Sequence, residues 1–477
     1  THFKFSKGSI VLNHKLNSLG TASIPRLILT FSVPAIVSMV IESLYNIVDR
    51  YFIGQGVGYL GIAGITLCFP ISLFIMALSM IIGVGANTLF SIRLGEQKYE
   101  QAKIILNNAL LLLILMALFS FVFGQIFMEP LLRSFGASEE TLPYATSYMR
   151  IVLCGAIFQT ITPGMNHFIR SMGHPKTAMI RNIIGAGCNV FFDWLFIMKF
   201  HWGIEGAAYA TILSQFIASI FVISFFFKKN TPIKLGFRYM RLKLPFARKI
   251  FLLGLPPSLM QICNSLMNVV LNNSLAYYGM KSTYQSGDLA ISAFGIINSV
   301  AMLLVMPLLG FIQGIQPLIG YNFGAKKFAR VRKLLKLPLV YGTSIMLLVW
   351  LFVQAFAEHL VAPFSGGNQD LTNLASSGMR LWLFGIPMIA VGALSANFFQ
   401  GTGKPGRAII QNLMRQVFLL IPMILLMAYI FGLKGVFLAA PIADTGAAIL
   451  GIVLLYKELK KMPHNDFETH TVLNKKS

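Results

Sequence analysis

Apolar runs of about 20 residues recur along the whole chain, and a run of that length is what a helix needs to cross the hydrocarbon core of a bilayer. Twelve can be marked, near residues 26–54, 60–90, 104–127, 141–169, 176–198, 203–227, 247–279, 288–321, 334–356, 372–400, 406–430 and 435–456. They are too long for barrel strands and lack strict alternation. The pattern therefore predicts an all-α integral membrane protein with twelve transmembrane helices, numbered here as spans 1 to 12. Composition points the same way: 12% of the 477 residues are charged, against about 25% in a soluble domain.

The net charge of +23 raises the question of nucleic acid. Its distribution answers it. The basic residues gather in loops that follow even-numbered spans. Lys228, Lys229, Lys234, Arg238, Arg241, Lys243, Arg248 and Lys249 make up the central loop, and Lys326, Lys327, Arg330, Arg332, Lys333 and Lys336 a second cluster. This is the positive-inside pattern, which predicts both termini in the cytoplasm and a secondary attraction to anionic membrane lipid, with no nucleic-acid partner. The four cysteines, Cys68, Cys154, Cys188 and Cys263, all fall inside spans and form no CxxC, so free buried thiols are expected. The first 20 residues hold no apolar core of a cleavable leader.

The two halves repeat each other. Span 1 reads FSVPAIVSMVIESLYNIVDRYFIG and span 7 LGLPPSLMQICNSLMNVVLNNSLA, aligning Pro34 with Pro256, Ser43 with Ser265 and Asn46 with Asn268. Gly85 and Gly95 of span 2 align with Gly314 and Gly324 of span 8, and GHPKTAMIRN before span 5 matches GKPGRAIIQN before span 11. The offset drifts only from 222 to 230 residues. Six spans per half is an even number, so both halves enter the membrane in the same direction, with their relating axis along the membrane normal and a cavity between them. The expected division is a cytoplasmic tail at 1–24, an N-lobe at 25–228, a basic linker at 229–246, a C-lobe at 247–457 and a polar tail at 458–477. Such a duplication is a transporter plan. No P-loop, HExxH or GxSxG motif is present, so the chain is read as no enzyme and as a secondary transporter driven by an ion gradient.

Ionisable residues inside spans are costly, and each is a candidate for function. Glu42, Asn46 and Asp49 share one face of span 1; Asn182, Asn189 and Asp193 share one face of span 5. Span 6 adds Thr211. If spans 1, 5 and 6 pack together, Asp49, Asn189, Asp193 and Thr211 meet, and their oxygens suit a monovalent cation such as Na⁺ or a shared proton. Span 7 answers with a neutral stripe, Gln261, Asn264, Ser265, Asn268 and Asn272, and Leu271 stands where Asp49 stands in the first half. Asp444 of span 12, opposite Gln215 of span 6, is either a second protonatable site or a structural residue. Pro34 permits a kink that would move Glu42 and Asp49 relative to span 5. Phe158, Gln159 and Asn166 of span 4 are candidate cavity residues.

At SLYNIVDRYFIGQGVG in span 1, NVFFDWLFI in span 5 and the paired GHPK and GTGKPG turns, the chain resembles the multidrug and toxic compound extrusion (MATE) family over residues 25–456. The resemblance implies a V-shaped, two-lobe antiporter of bacterial type, exporting cationic amphipathic compounds in exchange for Na⁺ or H⁺, with no other cofactor. It also implies a cation site at the positions of Asp49, Asn189, Asp193 and Thr211. Members of another branch use acids on spans 7 and 10; Gln261 and Asn264 stand in that part of span 7 here, and span 10 holds no acid from Leu381 to Gln400. A monomer is expected, since the cavity lies within one chain. A lipid-linked saccharide flippase of the same superfamily and an uncoupled channel are the alternatives.

Overall fold

The structure, a computed structural model, describes residues 18–57, 59–135, 139, 141–228, 231–236, 239, 242–364 and 368–463. Residues 1–17 and 464–477 of the two tails, part of the central basic loop and the side chains of Asn46 and Ser265 lie outside the described residues. Among the described residues, eleven helices are long and apolar enough to cross a membrane, and no strand occurs. Span 1 is Ile24–Gly56, span 2 Tyr59–Gly95 and span 3 Tyr99–Ser134. Span 6 is Gly203–Phe225, span 7 Leu244–Met280, span 8 Gly287–Gly324 and span 9 Phe328–Val361. Span 12, Leu433–Lys461, carries the helix past the predicted start of the tail.

The predicted fourth span is two shorter helices, Leu142–Cys154 and Ala156–Ser171, that meet at Gly155. Span 10 breaks at the equivalent place. Gln369–Trp382 and Ile386–Gly401 are joined by a 3-10 turn at Leu383–Gly385. Spans 5 and 11 each widen into a π-helical stretch, Trp194–Lys199 after Pro175–Asp193 and Met414–Leu420 after Pro405–Leu413. Span 11 then resumes as Ile421–Phe431. The helix breaks of spans 4 and 10 thus repeat at aligned positions, while the π-helical stretches of spans 5 and 11 recur in equivalent spans at different positions.

The repeat extends to the turns. Gln97 and Lys326 both take a positive φ, as do Gly173 and Gly403, and Gly203 and Gly432. His174 donates its backbone N–H to Ile169 at 3.1 Å, and Lys404 donates to Phe399 at 2.8 Å. Each closes its helix with the six-to-one bond that satisfies an otherwise orphaned carbonyl.

Span 1 packs along span 8, and span 2 along span 7. Both crossings are close enough to require glycine. A methyl group built on Gly85 would enter the carbonyl of Ile250, and one on Gly254 that of Ile81. Farther along, spans 2 and 8 meet each other: a methyl on Gly95 would enter the carbonyl of Tyr321, and one on Gly324 that of Ile92. With no hydrophobic drive between helices in lipid, such backbone approach is what supplies packing energy. Hydroxyls reinforce it, Ser258 Oγ donating to Ala77 O at 2.9 Å and Ser32 Oγ to Phe311 O at 3.4 Å.

The outer faces are greasy. Leu29, Leu118, Ile126, Ile220, Leu348 and Ile449 are all exposed, while Asn107, Asn108, Thr160, Thr162 and Asn322 are fully buried. Large apolar residues outward and small or hydrogen-bonded polar residues inward is the arrangement lipid imposes. The chain is a multi-pass membrane protein. The four cysteines are free, but only Cys68 is buried: Cys188 and Cys263 are half-exposed and Cys154 is exposed, each on an accessible side of its span.

Candidate cation site and central polar groups

The helical spacing read in the sequence places Asn182, Asn189 and Asp193 on one side of span 5, and all three are buried, Asp193 completely. Span 1 packs against span 5, and span 6 against both. This brings the Asp49 and Asp193 carboxyls within hydrogen-bonding reach of each other. Neither oxygen of Asp193 and neither polar atom of Asn189 has a hydrogen-bond partner among the described residues.

Such an arrangement is incomplete without a positive charge. Two carboxylates about 4 Å apart repel by about 4 kcal/mol at an effective dielectric of about 20, and burying each ion costs several kcal/mol more. A proton held between them, or a monovalent cation bound by their oxygens and that of Asn189, relieves the repulsion and lowers the burial cost, leaving one net negative charge in place of two. The donor set, hard oxygen with no sulfur or imidazole, fits either.

Thr211 joins this group at one remove. Its hydroxyl shares a hydrogen bond with Tyr148, from the first half of span 4, and Tyr148 in turn lies within electrostatic reach of Asp49. Tyr45, one turn before Asp49, is within reach of Asp49, Glu42 and Asp193. Beside the acids lies a cleft of about 60 Å³ lined by Glu42, Tyr45, Arg181, Asn182, Asn189 and Gln215. A water takes about 30 Å³ and a drug-sized ligand needs roughly 300 Å³ or more, so the cleft is scaled to an ion and its water.

Of the other sequence candidates, Pro34 is buried in a helix that runs unbroken through it, with Ser38 Oγ donating to its carbonyl at 2.8 Å. Phe158 packs edge-on against Phe216 at 5.0 Å, Gln159 is half-buried, and Asn166 donates to Ala178 O at 3.3 Å, tying span 4 to span 5. In the second half Asn268 Nδ2 donates to Asn264 O at 2.9 Å, and Asn264 Nδ2 to Gln261 Oε1 at 3.3 Å. Asp444 meets no second acid: Arg415 Nε donates to its Oδ1 at 2.6 Å.

Five residues at these sites escaped the sequence reading. Tyr45 and Tyr148 are phenols among many in apolar spans, and only packing singles them out. Arg170, Arg181 and Arg415 had a legible signal, a cation inside an apolar run, but each lies near a span entrance and reads as loop charge. Arg170 reaches across the halves, donating to Gln313 Oε1 of span 8 at 3.0 Å. Arg181 donates to Asn182 and has Glu42 within electrostatic reach.

Known proteins resemble this chain in sequence and fold. The model of the MatE family matches residues 34–195 and again residues 256–426. The multidrug export protein MepA of Staphylococcus aureus (strain MSSA476) is 27% identical over 426 residues, covering 89% of this chain and 92% of that protein. MepA of Staphylococcus saprophyticus is 28% identical over 437 residues with the same coverage. A solved structure described as the outward-facing conformation of a multidrug resistance MATE family transporter of the MOP superfamily superposes with a TM-score of 0.86 at 24% identity, over 96% of this chain and 99% of that one. A MOP superfamily transporter from Pyrococcus furiosus, described as having a binding pocket of reverse polarity that suggests a different function, superposes at 0.85 with 25% identity, over the same shares of the two chains.

Proposed function

We propose, from the premise that this chain belongs to the MatE family of membrane transporters, that it exports cationic amphipathic compounds in exchange for H⁺ or Na⁺ by alternating access. The observation that carries the coupling half of this reading is the buried pair Asp49 and Asp193, with the orphaned amide of Asn189 beside it. The drug half is supported by the S. aureus and S. saprophyticus relatives, both described as multidrug export proteins.

The work of each residue follows from its place. Asp49 and Asp193 hold the exchanged cation, Asn189 supplies a neutral oxygen, and Thr211 and Tyr148 orient the site from the side. Loading halves the net charge of the pair and relieves its repulsion, which lets span 1 settle against span 5. Unloading restores the repulsion and disfavours the same packing. The arrangement of spans 1 and 5 is thus the element that the ion biases, and the cavity between the halves is what it reshapes. Pro34 lies on that same helix. In this reading the protein works as a monomer in a bacterial plasma membrane with both termini in the cytoplasm.

The buried Arg170 and the half-buried Arg181 favour a second reading, a flippase for anionic saccharide-linked lipids. Both readings are tested in proteoliposomes by following a fluorescent organic cation under a Na⁺ gradient alone and a pH gradient alone. Exchange under one gradient that is lost in Asp193→Asn is the expected result. Normal transport by Asp193→Asn under both gradients overturns the coupling site. Movement of an anionic lipid with no movement of the cation favours the flippase, and gradient-independent leak favours a channel.

A further inference from the structure

The repeat allows the small cleft of the first half to be compared, position by position, with its counterpart in the second. Glu42, Gly185, Ala186 and Gln215 line the cleft. The positions aligned with them are Asn264, Arg415, Gln416 and Asp444. Where the first half has a glycine and an alanine, the second has two of the longest polar side chains available.

Those side chains close on one another. Arg415 Nε donates to Asp444 Oδ1 at 2.6 Å, and Arg415 Nη1 donates to Gln416 Oε1 at 3.1 Å. Gln416 Nε2 donates to Asn264 Oδ1. Asp444 and Gln416 are almost fully buried, at 2% and 1% exposure. The break at Gly385 in span 10 accommodates Asp444, whose Oδ2 would touch a methyl group built there. In the first half the position aligned with Asp444 is Gln215, whose buried Oε1 has no hydrogen-bond partner among the described residues.

We propose that Arg415 is a tethered counter-cation: its guanidinium holds, beside Asp444, the place that is an open cleft in the first half, so the second half carries a carboxylate but exchanges no cation. Removing the side chain would uncover a latent site for a small planar cation, with guanidinium itself the closest match. This rests on the reading that the first half is the exchanging one, because only then does a permanently filled second half fix the number of cations moved per cycle. The physical reason for a tether is the cost of an uncompensated buried carboxylate. Removing one partner of a buried pair leaves the other charge uncompensated, and an arginine on the same chain is a partner that cannot diffuse away.

The test is chemical rescue on the full-length protein in nanodiscs, with guanidinium chloride as the probe at low millimolar concentration. Arg415→Gly restores the residue found at 185. It should melt below wild type and regain stability as guanidinium is added, saturating at one ion per chain by calorimetry. Wild type and the charge-retaining Arg415→Lys should show no such site. Arg415→Gly with Asp444→Asn removes the uncompensated charge, serves as the folded control, and should bind none. Guanidinium binding that survives Asp444→Asn, or a folded Arg415→Gly that gains no binding over wild type, overturns the proposal. If Arg415→Gly alone does not fold, recovery of folded protein during purification in guanidinium, absent in sodium, is the same result read earlier. Adding Asp193→Asn to Arg415→Gly should leave the guanidinium site intact. Failure of the first-half coupling site would therefore show in the transport assay and leave this binding experiment standing.

Discussion

Tyr148 couples a neutral hydroxyl to a charged site. It bonds Thr211 and lies within reach of Asp49, so its loss should loosen the site without changing its charge. A hydrogen bond of this kind is worth about 1 kcal/mol net, or about fivefold in affinity. Tyr148→Phe should therefore raise the half-saturating concentration of the coupling ion about fivefold and leave the maximal exchange rate near wild type; unchanged ion dependence would remove Tyr148 from the site. Glu96, in the turn between spans 2 and 3, makes a different residue-level prediction. Arg93 contacts it at 2.5 Å and Lys98 at 2.9 Å. Burial alone would raise its carboxyl, but the hydrogen bonds and charges of Lys98 and Arg93 outweigh burial and hold it below the ordinary carboxylate range. A lowered carboxyl stabilises the fold above its unfolded value, about 4.3 for Glu, and that gain fades as pH falls through the lower folded value. Glu96→Gln should melt slightly below wild type at neutral pH, by less than about 1 kcal/mol, with the difference vanishing in acid. A gap that persists at low pH would show the carboxylate charge to be irrelevant. Asp49, Asn189 and Asp193 were legible in the sequence because helical spacing alone puts polar groups on one face. Tyr148 was not, because its meaning lies in a partner on another span, and the cation signal of Arg415 did not by itself disclose its pairing with Asp444.

At the scale of elements, the glycine crossings bring the backbones of the two halves into direct contact. Gly95 and Gly324 belong to different halves, and each faces the backbone of the other's helix. Gly95→Leu forces spans 2 and 8 apart; overpacking of this kind costs about 1–3 kcal/mol, and here backbone rather than a side chain has to give. The variant should melt below wild type and, if folded, show greater protease access to the loop that bears Lys326 and Lys327. Unchanged melting and protection would mean that the crossing is looser than drawn. The pairing of Gly95 with Gly324 as repeat positions was readable from the sequence. Their face-to-face approach was not, since alignment says which positions are equivalent and not which ones touch. Span 4 shows the opposite limit. Its length was right, but Thr160, Thr162, Asn166 and Arg170 make it polar enough that only burial among its neighbours keeps it in the membrane, and the break at Gly155 left no separate mark.

Across the whole molecule, the halves hold each other through helices, and the described residues of the central basic loop lie against span 3, Gly236 N–H donating to Asn107 Oδ1 at 3.0 Å and Lys243 N–H to Asn108 Oδ1 at 2.8 Å. The start of the chain is also stapled to the second half. Asn322 Nδ2 donates to Leu19 O at 3.0 Å, Lys327 Nζ to Gly20 O at 2.8 Å and Arg330 Nη2 to Ala22 O at 2.6 Å. Two polypeptides divided near residue 237 should therefore assemble when produced together, copurifying and melting within a few degrees of the intact protein, and Gly95→Leu should weaken that copurification. Failure of the halves to associate would assign the connecting loop a structural role. The duplication that the sequence displayed holds in the turns, the helix breaks and the crossings. Its chemistry is divided, with facing acids in one half and a sealed arginine–aspartate pair in the other. The crossings also bear on descent. A side chain larger than hydrogen at Gly85, Gly95, Gly254 or Gly324 is paid for by the opposite half, so a change at one position is tolerated only when its counterpart yields. After the duplication, the two copies were free to specialise their interiors but bound to inherit their seam together. Recombinants that join one half of this protein to the other half of a distant relative should work only where both parents kept that seam.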